Sequence, residues 1–169
     1  WCCLVGSEMC IRDSNRTGIY GTMFIAAAIS CAQVMKDKEE IIRTALKYVP
    51  QESRFFIRSK ICLDEILRAS DWEDGYKKIN NILNEYGHCR IYQEVGMMIN
   101  SFLFANNIYE GICIQVSQGA DTDSFGASVG SLLGSYYGPE GLDSKWLEIF
   151  NDDIHTGMAW FFELSLIHI

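Results

Sequence analysis

Apolar residues recur every three or four positions along most of this chain, which is the spacing of one face of an α-helix. Residues that start and stop helices interrupt the pattern at intervals. Asp37 and Asp71 each precede a periodic segment, and Pro50 and Gly87 follow those two segments. Alternating strand patterns joined by tight-turn residues are almost absent. The sequence therefore predicts an all-α fold, a compact multi-helix bundle.

The predicted helices follow one another along the whole chain. They cover residues 18–34, 38–49, 55–67, 72–86, 95–105, 109–117, 123–137, 142–150 and 154–163. Residues 87–93 are predicted to form a loop. The β-branched residues Ile112, Ile114 and Val116 leave a strand open as an alternative for residues 109–117, because such residues favour strands.

Length and charge exclude several classes of protein. The 169 residues, 49% of them hydrophobic, are enough for one core and one domain. A net charge of −8 argues against a nucleic-acid partner, which would require clustered Lys and Arg. The apolar runs are shorter than the ~20 residues that cross a bilayer, so we expect no membrane association.

The cysteines indicate the compartment. Seven are scattered along the chain without a Cys-x-x-Cys pair, a distribution that does not favour a zinc site. Most of them lie in apolar helical patterns, as reduced and buried thiols do. The sequence therefore predicts a cytoplasmic protein.

The densest polar cluster in an apolar context is Gly119-Ala120-Asp121-Thr122-Asp123-Ser124, directly before a predicted helix rich in small residues. Carboxylate and hydroxyl oxygens are hard ligands that suit Mg²⁺ or Mn²⁺. An Asp-x-Asp spacing in a turn can direct both side chains toward one cation. These residue types predict half of a metal site.

Two other interpretations of this cluster exist. In the first, Asp121 or Asp123 caps the helix and the neighbouring polar residues are solvated, as in most isolated Asp-x-Asp pairs. In the second, the segment is an EF-hand calcium loop, but the twelfth position from Asp121 holds Leu132 where a Glu is required. The calcium loop is therefore disfavoured, and the helix cap stays open.

A longer match favours the metal site over the helix cap. Residues 118–138, QGADTDSFGASVGSLLGSYYG, resemble the Gly-Gly-Asp-Thr-Asp signature and the following helix of the ADP-ribosylglycohydrolase family. Residues 18–27 resemble a segment of bacterial members, and residues 142–150 resemble the stretch after the signature. The chain departs from the signature at Ala120, where the second Gly is usual, and at Ser124, where Thr is common. Neither change removes a ligand oxygen.

The resemblance implies a site that holds two divalent cations, Mg²⁺ or Mn²⁺. Its metal ligands in this chain would be Asp121, Asp123 and Ser124. The substrate-binding residues that we expect beside them are Gly119, Thr122, Phe125, Gly126 and Tyr20. His88 is given no role, because a lone loop histidine is most often just exposed.

The implied reaction is metal-dependent hydrolysis of the glycosidic bond between ADP-ribose and an ADP-ribosylated protein or small compound. The family's N-terminal half, with its Thr-Asp-Asp ligand set and its catalytic acid or base, has no counterpart here. We therefore expect a bundle truncated at its N-terminal side that is inactive alone. The alternative is a non-catalytic relative that binds ADP-ribose or a nucleotide, or a structural helical domain.

The two ends of the chain are unlike the rest. Residues 1–14 and 164–169 resemble translated sequencing-adapter read-through. We predict that they are an artefactual leader and tail. On this interpretation, residues 15–163 form a partial ADP-ribosylglycohydrolase domain.

Overall fold

A computed structural model describes residues 15–86, 90–150, 153–158 and 161–165. These residues form eight α-helices, one 3-10 turn and one pair of strands. The elements are α1 (Asn15–Ala32), α2 (Lys38–Lys47), α3 (Arg54–Ile66), α4 (Trp72–Leu83), α5 (Ile91–Phe104), α6 (Ile108–Ser117), α7 (Thr122–Tyr137), the 3-10 turn (Pro139–Gly141), α8 (Ser144–Phe150), β1 (Asp153–Met158) and β2 (Phe161–Ser165). The predicted all-α class is confirmed.

Local capping explains where several helices begin. The Asp37 carboxylate accepts a hydrogen bond from the backbone N–H of Glu40 at the start of α2, and Asp71 accepts one from Asp74 at the start of α4. Each bond satisfies one of the backbone donors that a helix start leaves without a partner. The two N-caps predicted from the sequence are therefore confirmed.

The central element is α5, which packs against α1, α2, α3, α4, α6 and α7. Every residue from Gln93 to Phe102 is buried, including the polar residues Asn100 and Ser101. A helix enclosed on all sides must bury its polar side chains as well as its apolar ones, and these need hydrogen-bond partners. Some of these buried polar side chains bond to the segments around the candidate site described below.

A half-buried cation ties α2 to this core. The Lys38 ammonium donates to the carbonyl of Ala105 and lies 5.3–5.4 Å from the ring centres of Phe102, Tyr136 and Tyr137. Burial lowers the pKa of Lys38, and the negative charge of Glu110 opposes that effect. The aromatic faces compensate part of the lost hydration of the ammonium group. Lys38 thus has a structural role at the end of α5.

Two predictions about secondary structure in the middle of the chain need correction. The loop predicted for residues 87–93 is too long, since α5 begins at Ile91; residues 87–89, with His88, lie outside the described part. Residues 108–117 are helical, so the strand alternative is wrong. Asn107 decides that case by capping α6, because its side chain accepts a hydrogen bond from the N–H of Glu110.

The helix predicted for residues 154–163 is wrong. Strands β1 and β2 pair there in antiparallel fashion, with Ile154 opposite Leu164 and a register irregularity between His155 and Met158. Ile154, Thr156 and the aromatic pair at 161–162 favour an extended backbone, and Gly157 weakens a helix. The strand pair follows α8 in the chain, and this correction does not concern the helices of the bundle.

None of the described helices is long and apolar enough to cross a membrane. The predicted artefactual leader at residues 1–14 lies outside the described residues. Of the predicted tail, residues 164 and 165 belong to β2, and residues 166–169 lie outside the described part. Both predictions about the chain ends stay predictions.

Candidate functional site

The polar cluster forms the turn between α6 and α7. Gly119 and Ala120 both have left-handed backbones, with φ values of 79° and 63°. Glycine adopts this conformation freely, whereas alanine is strained in it by roughly 1 kcal/mol. The two residues reverse the chain sharply, so that Asp121 stands at the start of α7. Ala120 therefore adopts a backbone conformation that a glycine would adopt without strain.

Asp121 occupies the cap position of α7 but does not act as a cap, since its side chain makes no hydrogen bond to the helix start. Its pKa is influenced by the side chains of Asp123 and Ser124, its neighbours at the start of the helix. The Asp123 carboxylate accepts a 2.9 Å hydrogen bond from the backbone N–H of Ser124. The turn thus places all three residues together at the start of α7.

The two carboxyl groups titrate as a pair. Asp123, together with partial burial, raises the pKa of Asp121, while the Ser124 hydroxyl acts in the opposite sense. The pKa of Asp123 is lowered by its hydrogen bond with Asp121 and by the backbone N–H of Ser124. Asp121 therefore keeps its proton to a higher pH than Asp123 does. Two carboxyl groups this close repel each other once both are ionised.

A divalent cation fits this arrangement chemically. It would relieve the repulsion between the two carboxylates, and all three side chains offer the hard oxygen ligands that Mg²⁺ and Mn²⁺ prefer. Asp123 and Ser124 are exposed and Asp121 is partly exposed, so an ion has access from solvent. Among the described residues, however, no group of three or more Asp, Glu, His or Cys is arranged to hold a metal. The side chains of Asp121, Asp123 and Ser124 would therefore be only part of a ligand set.

A third carboxylate, that of Glu94 on α5, faces the same region and was missed by the sequence analysis. Glu94 is 8% exposed, and its carboxylate accepts a 2.8 Å hydrogen bond from the Ser128 hydroxyl on α7. Burial raises the pKa of Glu94, the Ser128 bond opposes this, and the charge of Asp121 raises it further. Glu94 is therefore an acidic neighbour of the site that supports α7 and adds negative charge nearby.

Replacement of Glu94 by glutamine is expected to raise the melting temperature at pH 7. The folded-state pKa of Glu94 is above its unfolded value, so its contribution to stability is present at low pH and lost as the pH rises through the folded pKa. A neutral amide can still accept the Ser128 bond without carrying a buried charge. Thermal melts between pH 3 and 8 should show the gain at neutral pH and little difference at the acid end.

The matched control for this variant is Glu140→Gln, which removes the charge of an exposed residue at the other end of α7. It should change the melting temperature very little, because exposed charges contribute little to stability. A lower melting temperature of Glu94→Gln at pH 7 would contradict this account of the buried carboxylate.

The other predicted site residues have different surroundings. Thr122 is exposed at the first position of α7, beside the partly exposed Gly119, and the half-buried Gly126 follows on the same helix. Phe125 is only 2% exposed and packs inside the protein, which leaves its ring no open face for stacking on a ligand. Tyr20 lies on α1, half-buried against the hydrophobic core. The structure thus brings Gly119 and Thr122 to the site surface and gives Phe125 a packing position.

A cavity of about 360 Å³ lies elsewhere, between the start of α6 and the segment that leads into α8. Its lining includes Tyr109, Glu140, Lys145 and Trp146. The 16 residues of α7 separate this region from the aspartates by roughly 24 Å at 1.5 Å per residue. The candidate metal ligands lie at the Asp121 turn, and none of them lines this cavity.

Comparison with known proteins gives one family. The ADP-ribosylglycohydrolase family matches residues 8–166 and so covers almost the whole chain, the Asp121 turn included. Neither the curated proteins nor the solved structures contain a match to this chain. The family is one of hydrolases of the glycosidase type. With its helical bundle, its aspartate turn and this match, the chain belongs to the ADP-ribosylglycohydrolase family.

Proposed function

We propose that this chain takes part in metal-dependent hydrolysis of the glycosidic bond between ADP-ribose and a modified protein or small compound. The observation that carries the proposal is the placement of Asp121, Asp123 and Ser124 together at the start of α7, directly after a left-handed alanine, with the Asp121 carboxyl not used as a helix cap. A pair of neighbouring carboxylates open to solvent, one of them without a capping bond, suits a cation site.

Within such a site, Asp121 and Asp123 would hold Mg²⁺ or Mn²⁺, and Ser124 would add a neutral oxygen ligand. When bound, the cations supply charge that polarises the glycosidic bond and orients ribose hydroxyls. The chain's own residues position these groups. Gly119 has no side chain and no atom within 4 Å of where a Cβ would be, so a ligand can approach its backbone. The exposed Thr122 hydroxyl is available as a hydrogen-bond partner.

A second candidate function is binding of ADP-ribose or a nucleotide without catalysis. It is favoured by one observation: the described residues provide two carboxylates and one hydroxyl, with no third acidic ligand in place. Catalysis would need further ligands and a catalytic acid or base from residues outside the described part. The two functions differ in whether bond cleavage follows binding.

Two assays separate these functions. ADP-ribose is titrated into the protein with Mn²⁺ and with EDTA, and ADP-ribose release from a modified peptide is measured under the same two conditions. Metal-dependent binding with metal-dependent release supports the hydrolase. Binding without release supports the binding relative, and equal binding with and without metal contradicts the metal-dependent hydrolase.

We also propose a cytoplasmic location. Among the described residues, Cys31, Cys62 and Cys113 are unpaired thiols, as expected in a reducing compartment. Burial raises the pKa of the Cys62 thiol to about 12, so this cysteine is an inert core residue. The proposed partner is an ADP-ribosylated protein or a small ADP-ribosyl compound.

A further inference from the structure

Gln118, the residue directly before the turn, is held by three side-chain hydrogen bonds. Its side chain is 3% exposed and accepts a 2.9 Å hydrogen bond from the Asn100 amide. It also donates to the Ser101 hydroxyl at 2.7 Å and to the Met97 carbonyl at 3.3 Å. All three partners belong to α5, the central helix. A buried amide that is satisfied in this way fixes the position of its own backbone.

The turn that follows needs such an anchor. A left-handed alanine persists only where its surroundings impose that conformation, and Ala120 has it two residues after Gln118. On the far side of the turn, the buried ring of Phe125 and the bond between Ser128 and Glu94 hold the start of α7. The turn is therefore clamped at both ends, and α5 supplies a partner to each clamp.

We propose that Gln118 is a positioning residue that sets the direction of the Asp121 and Asp123 carboxylates by fixing the start of the turn to α5. This inference rests on the proposed function, because the carboxylates matter as metal ligands. Asn100 extends the connection, since its amide also donates a 2.8 Å bond to the Trp72 carbonyl at the start of α4. The turn is thereby tied to two helices of the bundle.

The chain provides a matched control in Gln115, one helical turn earlier on α6. Its side chain is also fully buried, and its oxygen accepts a 2.9 Å bond from the Ser101 hydroxyl. Its amide nitrogen has no hydrogen-bond partner. Gln115 lies within α6 and Gln118 directly follows its last residue, so both are buried glutamines of one segment, and only Gln118 adjoins the turn. A purely structural role predicts similar consequences for both.

The test compares Gln118→Met with Gln115→Met in two measurements. Amide hydrogen exchange is followed at Gly119 and Phe125, whose N–H groups donate to Val116 and Asp121 respectively. Mn²⁺ affinity is measured by the electron paramagnetic resonance of the free ion. We expect Gln118→Met to speed exchange at both amides by about tenfold. We also expect it to weaken Mn²⁺ binding about tenfold, the lower end for losing an outer support of a ligand.

Gln115→Met should change neither quantity appreciably, even if it lowers the melting temperature as much. Asn100→Ala removes the donor to the Gln118 oxygen and leaves the bond between Gln115 and Ser101 in place. It should give smaller changes in the same direction, which keeps the test decisive if Gln118→Met does not fold. Equal exchange in the two glutamine variants overturns the inference, and so does faster exchange with unchanged Mn²⁺ affinity. Failure of the unaltered chain to bind Mn²⁺ contradicts the proposed function, while the exchange data still decide whether Gln118 holds the turn.

Discussion

Replacement of Asp121 by alanine is expected to weaken Mn²⁺ binding by at least the ~10–100-fold that follows from loss of a supporting group around a metal. Asp121 would be a direct ligand, and its loss leaves one carboxylate and one hydroxyl at the turn. The folded state should be no less stable than before, because the Asp121 side chain makes no cap bond and lies next to Asp123. Isothermal titration with Mn²⁺ and a thermal melt measure the two quantities.

Asp143→Ala is the control for charge. Asp143 is exposed beyond the other end of α7, where it pairs with Lys145 at 3.0 Å, and its removal changes the net charge by the same amount. It should leave Mn²⁺ affinity unaltered. The helix-cap interpretation predicts the reverse for Asp121→Ala, namely unchanged affinity and a loss of about 1 kcal/mol of stability. That result would contradict the metal assignment.

Replacement of Phe102 by alanine is expected to cost about 3–5 kcal/mol of folding free energy, the range for deleting a buried aromatic ring. Phe102 is fully buried on α5, its ring stands edge-on to Tyr136 at 5.5 Å between centres, and the Lys38 ammonium lies 5.4 Å from it. Alanine would leave a cavity between α2, α5 and α7. Urea denaturation of the variant and the unaltered chain gives the difference.

Phe102→Leu is the matched variant and should lose much less, because leucine refills most of the space. Neither change should alter Mn²⁺ affinity in the folded fraction, since Tyr136 and Asp121 stand at opposite ends of α7. A loss below about 1 kcal/mol for Phe102→Ala would contradict the central position of α5. Together with Asp121→Ala, this variant separates stability from binding.

Much of the fold could be predicted because its signals are local. The caps at Asp37 and Asp71 act within three residues, and the apolar spacing of each helix lies within its own segment. The same reasoning failed for residues 154–163, where strand pairing between Ile154 and Leu164 outweighs a helical spacing of apolar residues. Pairing depends on the partner strand, which no local window contains.

Some residues of the candidate site could be proposed from the sequence for a similar reason. Asp121, Asp123 and Ser124 are close in sequence, so their residue types and the family signature were enough to propose them. Glu94 and Gln118 became apparent only from packing: each is a polar residue of a kind usually exposed, and its burial depends on neighbours on other helices. The left-handed backbone at Ala120 could not be predicted either, because an alanine residue does not indicate it.

The most direct test of the central claim is a crystal of this chain soaked in Mn²⁺ and measured at the manganese absorption edge. The account predicts an anomalous peak at the α6–α7 turn, roughly 2.0–2.3 Å from oxygens of Asp121, Asp123 and Ser124. An occupied peak elsewhere with none at the turn, or no peak at saturating Mn²⁺, would contradict the assignment of this turn as the metal half-site.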